Sequence, residues 1–166
     1  NLAEPKAELV QIEDIAHALS LLCRFGGHVR VHYSVAQHAV LASRLVPEAD
    51  ALWALLHDAS EAYLVDLPTP VKRLAACDGY RAIEAQLQRT IYQAFGLVGD
   101  EPASVHHADQ ALVVAEAEAL LANGAAAWPA EARAAAAALA ARIQPVTPDV
   151  AERAFLKRFR QLREGR

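Results

Sequence analysis

The chain has 166 residues, a length that suits a single domain spanning residues 1–166 with a sizeable core. Its composition is 54% hydrophobic but only 6% aromatic, and abundant alanine with few β-branched residues favours an all-α fold of closely packed helices. A net charge of −4 argues against a binder of nucleic-acid polymers, although a small charged ligand needs only a local basic cluster.

Cysteine usage and the distribution of charge predict the compartment. Cys23 and Cys77 form no metal-type pair and predict no disulfide framework, which is typical of a reducing cytoplasm. Acidic residues run through the N-terminal segment, so no signal peptide is predicted. No apolar run approaches about 20 residues, and no membrane association is expected.

Hydrophobic periodicity predicts the first three helices. The first spans residues 9–23 and ends at Phe25-Gly26-Gly27, and a short extended link follows at 29–33. Ser34 is a typical N-cap for a second helix that runs to about Val46. The third helix is apolar on most faces and runs from residue 48 or 49 to Tyr63.

Proline and glycine divide the rest of the chain. Two prolines remove two amide donors from residues 66–70, which must therefore form a turn. A helical turn is predicted next, at 71–76, and an amphipathic helix follows from residue 78 or 79 to 95. Further helices are predicted at 101–122, at 129–142 and from residue 148 to about 162.

Polar side chains interrupt the most apolar stretch of the chain, LLHDASEAYLVDLPTP at residues 55–70. His57 and Asp58 in a buried helix must be hydrogen-bonded or bind a cation, because an unpaired buried charge costs several kcal/mol. Adjacent helical residues project about 100° apart, so one ion could bind both only beside neighbouring helices. His38 in AQHAV and Asp109 in VHHADQALVV are candidates to complete such a site.

The order of AQHAV, LLHDASEAY and HHADQAL resembles the H…HD…D signature of the HD superfamily of metal-dependent phosphohydrolases. Residues 57–72, HDASEAYLVDLPTPVK, are most similar to the small bacterial 5′-deoxynucleotidases of that superfamily, in which a YRAIE-like helix also follows. The stretch CRFGGHVRVHYSVAQH resembles the segment that carries an Arg-Trp pair in those enzymes. The resemblance covers roughly residues 22–120 and implies an HD-domain helical bundle.

The resemblance implies one divalent cation held by His38, His57, Asp58 and Asp109. Mixed imidazole and carboxylate ligands suit Co, Mn, Zn, Ni or Fe, whereas Mg usually prefers oxygen ligands. Such an ion would polarise the phosphoryl group and lower the pKa of the attacking water. Other histidines could help to hold a second ion: His28, His32, His106 and His107.

The resemblance also implies two catalytic carboxylates. Glu61 follows His57 by one helical turn and would act on the attacking water as a general base or positioning group. Asp66, in the turn that follows, would hold that water or the leaving oxygen. Both residues are present, whereas a non-catalytic, nucleotide-sensing HD module would be expected to lose one of them.

Four residues are expected to contact the substrate. Arg24 offers a fork suited to phosphate, and Lys72 offers a point charge. Phe25 stands where the relatives carry tryptophan and would face the sugar or base. His106 stands where they carry lysine, so its contact with phosphate would be weaker or pH-dependent.

A (deoxy)nucleoside 5′-monophosphate is therefore the expected substrate. The alternative is a deoxynucleoside triphosphate triphosphohydrolase, because compact HD enzymes of that type share the same metal ligands. A longer polyphosphate would require more basic groups, and Lys6, Arg30 and Arg73 are available. A homodimer or higher homo-oligomer is expected from the apolar content and from the resemblance.

Overall fold

A computed structural model describes residues 1–2 and 4–164. Its regular elements within that part of the chain are helices with no strand among them, which confirms the all-α prediction. None of the described helices is both long and apolar enough to cross a bilayer. The α-helices are α1 (Ile12–Leu21), α2 (Val35–Ala42), α3 (Ala51–Leu56), α4 (Glu61–Leu64), α5 (Thr69–Lys72), α6 (Asp78–Ala94), α7 (Ala103–Leu120), α8 (Ala130–Ala140) and α9 (Pro148–Glu164).

Most predicted helices are confirmed with small changes at their ends. The Ser34 hydroxyl accepts the Gln37 amide at 3.1 Å and caps α2 as expected, but the helix ends at Ala42, before the predicted Val46. The helical turn predicted at 71–76 lies earlier in the chain, as α5. It can include Pro70 because a helix leaves its first amides unpaired.

The prediction of one continuous third helix, from residue 48 or 49 to Tyr63, is wrong. The helix is broken after Leu56 and resumes at Glu61. Between these points the amide of Ala59 bonds to the Leu56 carbonyl, and the amide of Glu61 bonds to the Asp58 carbonyl, both at 3.0 Å. These three-residue spacings make a turn tighter than an α-helix. The polar pair of residues 57 and 58 therefore lies in a break between two short helices.

The core is divided between two clusters. The larger packs α1, α2, α3 and α9 around fully buried side chains such as Leu19, Leu55 and Phe155. The smaller joins α7 and α8 around Tyr33 and Val114. Helix α2 contacts α1, α3, α7 and α9, so its polar residues face a region where several helices meet.

Candidate metal centre and adjoining cleft

Three separate elements bring two imidazoles and a carboxylate together. His38 comes from α2, His57 follows the last residue of α3, and Asp109 lies in the second turn of α7. One ligand atom from each lies within 4.8 Å of the others, and no second group of this kind occurs among the described residues. The two Nε2 atoms are 3.2 Å apart, and Asp109 Oδ1 lies 3.2 Å from His38 Nε2 and 3.9 Å from His57 Nε2.

Asp58, in the break after α3, lies beside the two imidazoles but outside the set of three side chains whose ligand atoms all lie within 4.8 Å of one another. Its Oδ2 atom lies 3.3 Å from His57 Nε2 and 3.7 Å from His38 Nε2. Two ligand atoms that each lie about 2.1 Å from one ion are separated by about 3.0 Å at a right angle and about 3.4 Å at a tetrahedral angle. The separations of 3.2 and 3.3 Å match these values, whereas those of 3.7 and 3.9 Å are longer. His38, His57 and Asp109 could therefore hold a metal ion, with Asp58 close to them.

Hydrogen bonds at the far side of each ring determine which nitrogen faces the cluster. His38 Nδ1 lies 2.8 Å from Glu116 Oε1, and His57 Nδ1 lies 2.8 Å from the Ala54 carbonyl. Because both partners are acceptors, each Nδ1 must donate, and each Nε2 of a neutral ring presents a lone pair. Two such lone pairs at 3.2 Å, beside two carboxylates, repel one another unless a cation lies between them.

Without a metal, a proton can serve as that cation. Burial and the charge of Arg24 by themselves lower the pKa of His38, but Glu116 and Asp109 outweigh them and raise it to about 9. Burial also works against ionisation of Asp109, yet the hydrogen bond and charge of His38 hold the pKa of that carboxyl well below its usual range. The cluster thus strongly favours positive charge at its centre.

Glu116 is a part of this centre that the sequence analysis did not find. It lies on α7, about two turns after Asp109, and its side chain is fully buried. Its carboxylate binds His38 through one oxygen and accepts hydrogen bonds from Arg24 Nε at 3.2 Å and Nη2 at 3.0 Å through the other. The sequence feature that could have identified Glu116 is an acidic residue inside the apolar run ALVVAEAEALL.

Arg24 is buried against these carboxylates. Besides its two bonds to Glu116, its Nη1 lies 3.6 Å from Asp58 Oδ2. Burial alone would lower the pKa of this guanidinium, but Glu116 and Asp58 raise it above its usual value, so the group stays charged. The next residue, Phe25, has φ 55°, an uncommon backbone conformation for a residue other than glycine.

A cleft of about 640 Å³ opens beside the cluster, a volume within the range of small-molecule sites. Its ionisable lining residues are Arg24, Asp58, Glu61, Asp66, Lys72 and Asp109, with His28 at the edge. Phe25 and Trp128 belong to its apolar wall. His106 is exposed, pairs with Gln110 at 2.9 Å and borders a neighbouring cavity instead of this cleft.

Glu61, which is buried, and Lys72, which is half-buried, form a pair at the floor of the cleft. Glu61 is 5% exposed, and its Oε1 lies 3.8 Å from Lys72 Nζ, which also donates to Glu84 at 2.7 Å. The other oxygen, Oε2, is buried and has no hydrogen-bond partner among the described residues. Burial and the charge of Asp58 raise the pKa of Glu61 to about 10. Such perturbed carboxyls in a cleft are a common feature of functional sites.

The turn that carries Asp66 begins with an unusual backbone conformation. Val65 has φ 60° and ψ 162°, a combination that is essentially confined to glycine and costs about 1–3 kcal/mol. The Tyr80 hydroxyl donates to the Val65 carbonyl at 2.9 Å and holds the turn against α6. The strained turn brings Asp66 to the wall of the cleft.

Comparison with known proteins identifies relatives that match this chain over different fractions of its length. The chain is 39% identical over 157 residues to the uncharacterized protein YfdR of Escherichia coli, covering 95% of this chain and 86% of YfdR. It is 37% identical over 120 residues to an uncharacterized Rhodobacter capsulatus protein, covering 67% of this chain and 61% of that protein.

A third relative carries a functional name. The chain is 36% identical over 86 residues to a 5′-deoxynucleotidase of Erwinia tasmaniensis, covering 51% of this chain and 36% of that enzyme. No family model matches the chain. The similarity to YfdR spans nearly all of this chain and most of that protein. The chain belongs to the same protein family as Escherichia coli YfdR.

Proposed function

We propose that this protein is a metal-dependent phosphohydrolase of the HD type that releases orthophosphate from (deoxy)nucleoside 5′-monophosphates. The observation that carries the proposal is the pair of imidazole Nε2 atoms, 3.2 Å apart, with the carboxylates of Asp58 and Asp109 beside them. The partial similarity to a protein named 5′-deoxynucleotidase supports the choice of substrate.

His38, His57, Asp58 and Asp109 would hold the cation. The donor set fits a divalent transition metal such as Co, Mn, Zn, Ni or Fe, because two imidazoles and two carboxylates offer mixed nitrogen and oxygen ligation. When bound, such an ion would supply Lewis acidity toward the phosphoryl group and lower the pKa of the attacking water. Glu116 and the Ala54 carbonyl orient the two rings through their Nδ1 protons.

The protein's own side chains would manage the protons and the phosphate. Burial and the charge of Asp58 keep Glu61 protonated in the metal-free protein, and a cation bound beside Asp58 would offset that charge and favour the carboxylate. Glu61, with its unpaired Oε2 at the floor of the cleft, would then accept the proton of the attacking water. Asp66 would hold the water or the leaving oxygen from the turn that follows α4. Lys72 holds Glu61 and offers positive charge to the phosphate, and Arg24 can offer Nη1 because its other donors bind Glu116.

The proposed reaction is tested by following phosphate released from a nucleotide panel. Protein loaded in turn with Mn, Co, Ni, Zn and Mg is expected to release orthophosphate from deoxynucleoside 5′-monophosphates with at least one of the transition metals. Release of tripolyphosphate from a deoxynucleoside triphosphate, with monophosphates left intact, would identify a triphosphohydrolase instead. If no phosphate were released from any nucleotide with any of these metals, the proposed activity would be contradicted.

Asp58→Asn is expected to weaken metal binding by at least tenfold, because it removes one anionic ligand atom from the shared point. In the wild type, metal at 100 times its Kd should raise the free energy of unfolding by about 2.7 kcal/mol. With tenfold weaker binding, the variant should lose about half of that gain at the same metal concentration. Metal content by elemental analysis and urea denaturation with and without metal provide the measurements.

Asp66→Asn is the matched control for this experiment. It changes an aspartate that lines the same cleft, and none of the described ion pairs joins that aspartate to the imidazole of His38 or His57. It should bind a full equivalent of metal. A full equivalent in Asp58→Asn as well would show that Asp58 is not a ligand.

A further inference from the structure

Trp128 packs against the smaller core cluster but leaves part of its ring outside it. It lies in the alanine-rich connection GAAAWPA between α7 and α8 and is only half-buried. The other tryptophan, Trp53, is 8% exposed in the core and packs edge-on against Tyr92 with ring centroids 4.6 Å apart. A large aromatic ring left partly open to solvent among alanines has apolar surface available for a ligand.

The lining of the cleft beside the metal centre has a charged part and an apolar part. Its charged part contains the carboxylates and cations already described, and Trp128 borders the same cleft together with Phe25, Val113 and Leu121. Trp128 also borders the neighbouring cavity of about 700 Å³, which Asp109 lines as well. A ligand with its anionic group at the metal centre can therefore extend a flat apolar part toward this indole.

The indole has a polar group to offer as well. None of the described hydrogen bonds involves the Trp128 indole N–H, and this nitrogen is not among the buried atoms that lack a partner. Its backbone is held, because the Trp128 amide donates to the Ala125 carbonyl at 2.9 Å and Pro129 follows as the N-cap of α8. A fixed backbone with a ring that is partly exposed in the cleft suits stacking against a planar heterocycle.

We infer that Trp128 is a specificity-determining residue that stacks on the nucleobase of the substrate, so that the enzyme prefers nucleotides to phosphate esters without a base. This inference rests on the proposed function and names the part of the substrate that the charged centre leaves unrecognised. Every nucleobase has a π-face that can stack. Stacking should therefore distinguish a nucleotide from an ester that has no base, but it should discriminate only weakly among the bases.

The kinetic test compares deoxyadenosine 5′-monophosphate with 2-deoxyribose 5-phosphate, which carries the same phosphate and sugar but no base. In the metal-loaded wild type, kcat/KM should favour the nucleotide. Trp128→Leu should reduce that preference about tenfold, mainly through a higher KM for the nucleotide, since one stacked base contributes about 1–3 kcal/mol. Trp128→Phe keeps an aromatic face and should restore most of the preference.

Fluorescence provides a readout that is independent of turnover. Because the chain has two tryptophans and Trp53 is buried in the core, a nucleotide that stacks on Trp128 should quench part of the wild-type emission saturably. The quench should be absent in Trp128→Leu, which retains the Trp53 emission as evidence that the variant is folded. The base-free sugar phosphate should produce little quenching in either protein.

The outcomes separate this inference from the proposed function. Hydrolysis of both esters with an unchanged preference in Trp128→Leu, or quenching that persists in that variant, would overturn the role of Trp128 alone. Absence of hydrolysis in the wild type would overturn the proposed function. Quenching of the Trp128 emission by the nucleotide would then show whether Trp128 binds the base. A wild type that shows neither quenching nor a preference for the nucleotide would overturn the inference.

Discussion

Glu61→Gln is expected to lower kcat for phosphate release by at least 100-fold while leaving one equivalent of metal bound. The amide keeps the shape of the side chain but cannot accept a proton, and general-base catalysis contributes roughly 10²–10⁴-fold to such reactions. Glu61 lies at the floor of the cleft with a buried, unpaired Oε2, a position from which it can reach a water or substrate. Steady-state kinetics with elemental analysis of the same sample tests both parts.

Glu84→Gln controls for the loss of negative charge beside Lys72. Glu84 accepts from Lys72 Nζ at 2.7 Å, whereas Glu61 Oε1 lies at 3.8 Å from the same nitrogen. Glu84 lies outside the lining of the 640 Å³ cleft, so its replacement should change kcat by less than tenfold. Equal losses in the two variants would indicate that the lysine's charge balance, and not a proton transfer by Glu61, determines turnover.

Glu116→Gln is expected to destabilise the metal-free protein by about 3–5 kcal/mol, because removing one partner of a buried ion pair leaves the other charge uncompensated. Glu116 is fully buried, and it joins Arg24 and His38 through three hydrogen bonds. The substitution should also weaken metal binding by about 10–100-fold, since the neutral amide has one accepting oxygen in place of two and can no longer bind Arg24 and the His38 ring through separate oxygens. Urea denaturation without metal and metal titration of the folded variant measure the two effects.

Glu118→Gln is the matched control on the same helix. Its side chain is exposed, and an amide oxygen can still accept from the Ala125 amide, which donates to Glu118 at 2.9 Å. We expect a change of less than about 0.5 kcal/mol in unfolding free energy and no change in metal affinity. If Glu116→Gln behaved like this control, the carboxylate would not be needed to hold either Arg24 or the imidazole.

The helices themselves were predictable because their signals are local. Ser34 caps α2 through its own hydroxyl, and alanine-rich segments such as residues 130–140 form helices by intrinsic propensity. The continuous helix through His57 was predicted for the same reason, since residues 48–63 contain no glycine and no proline. The prediction of a continuous helix is wrong because tertiary contacts, which no local pattern encodes, accompany the break. The tight turn there places Asp58 beside the imidazoles of His38 and His57.

By itself, the sequence determined the helical class and the residues whose chemistry suits a cation, since His38, His57, Asp58 and Asp109 stand out as polar groups in apolar surroundings. Only the tertiary structure decided that Glu116 and Arg24 share one buried network with His38, and that Trp128 lines the same cleft as Asp109. These residues are separated by up to about a hundred positions in the chain, and no local pattern specifies such a distance. Their contacts arise because α2 packs between α3 and α7, and that packing depends on the shapes of all the side chains between them.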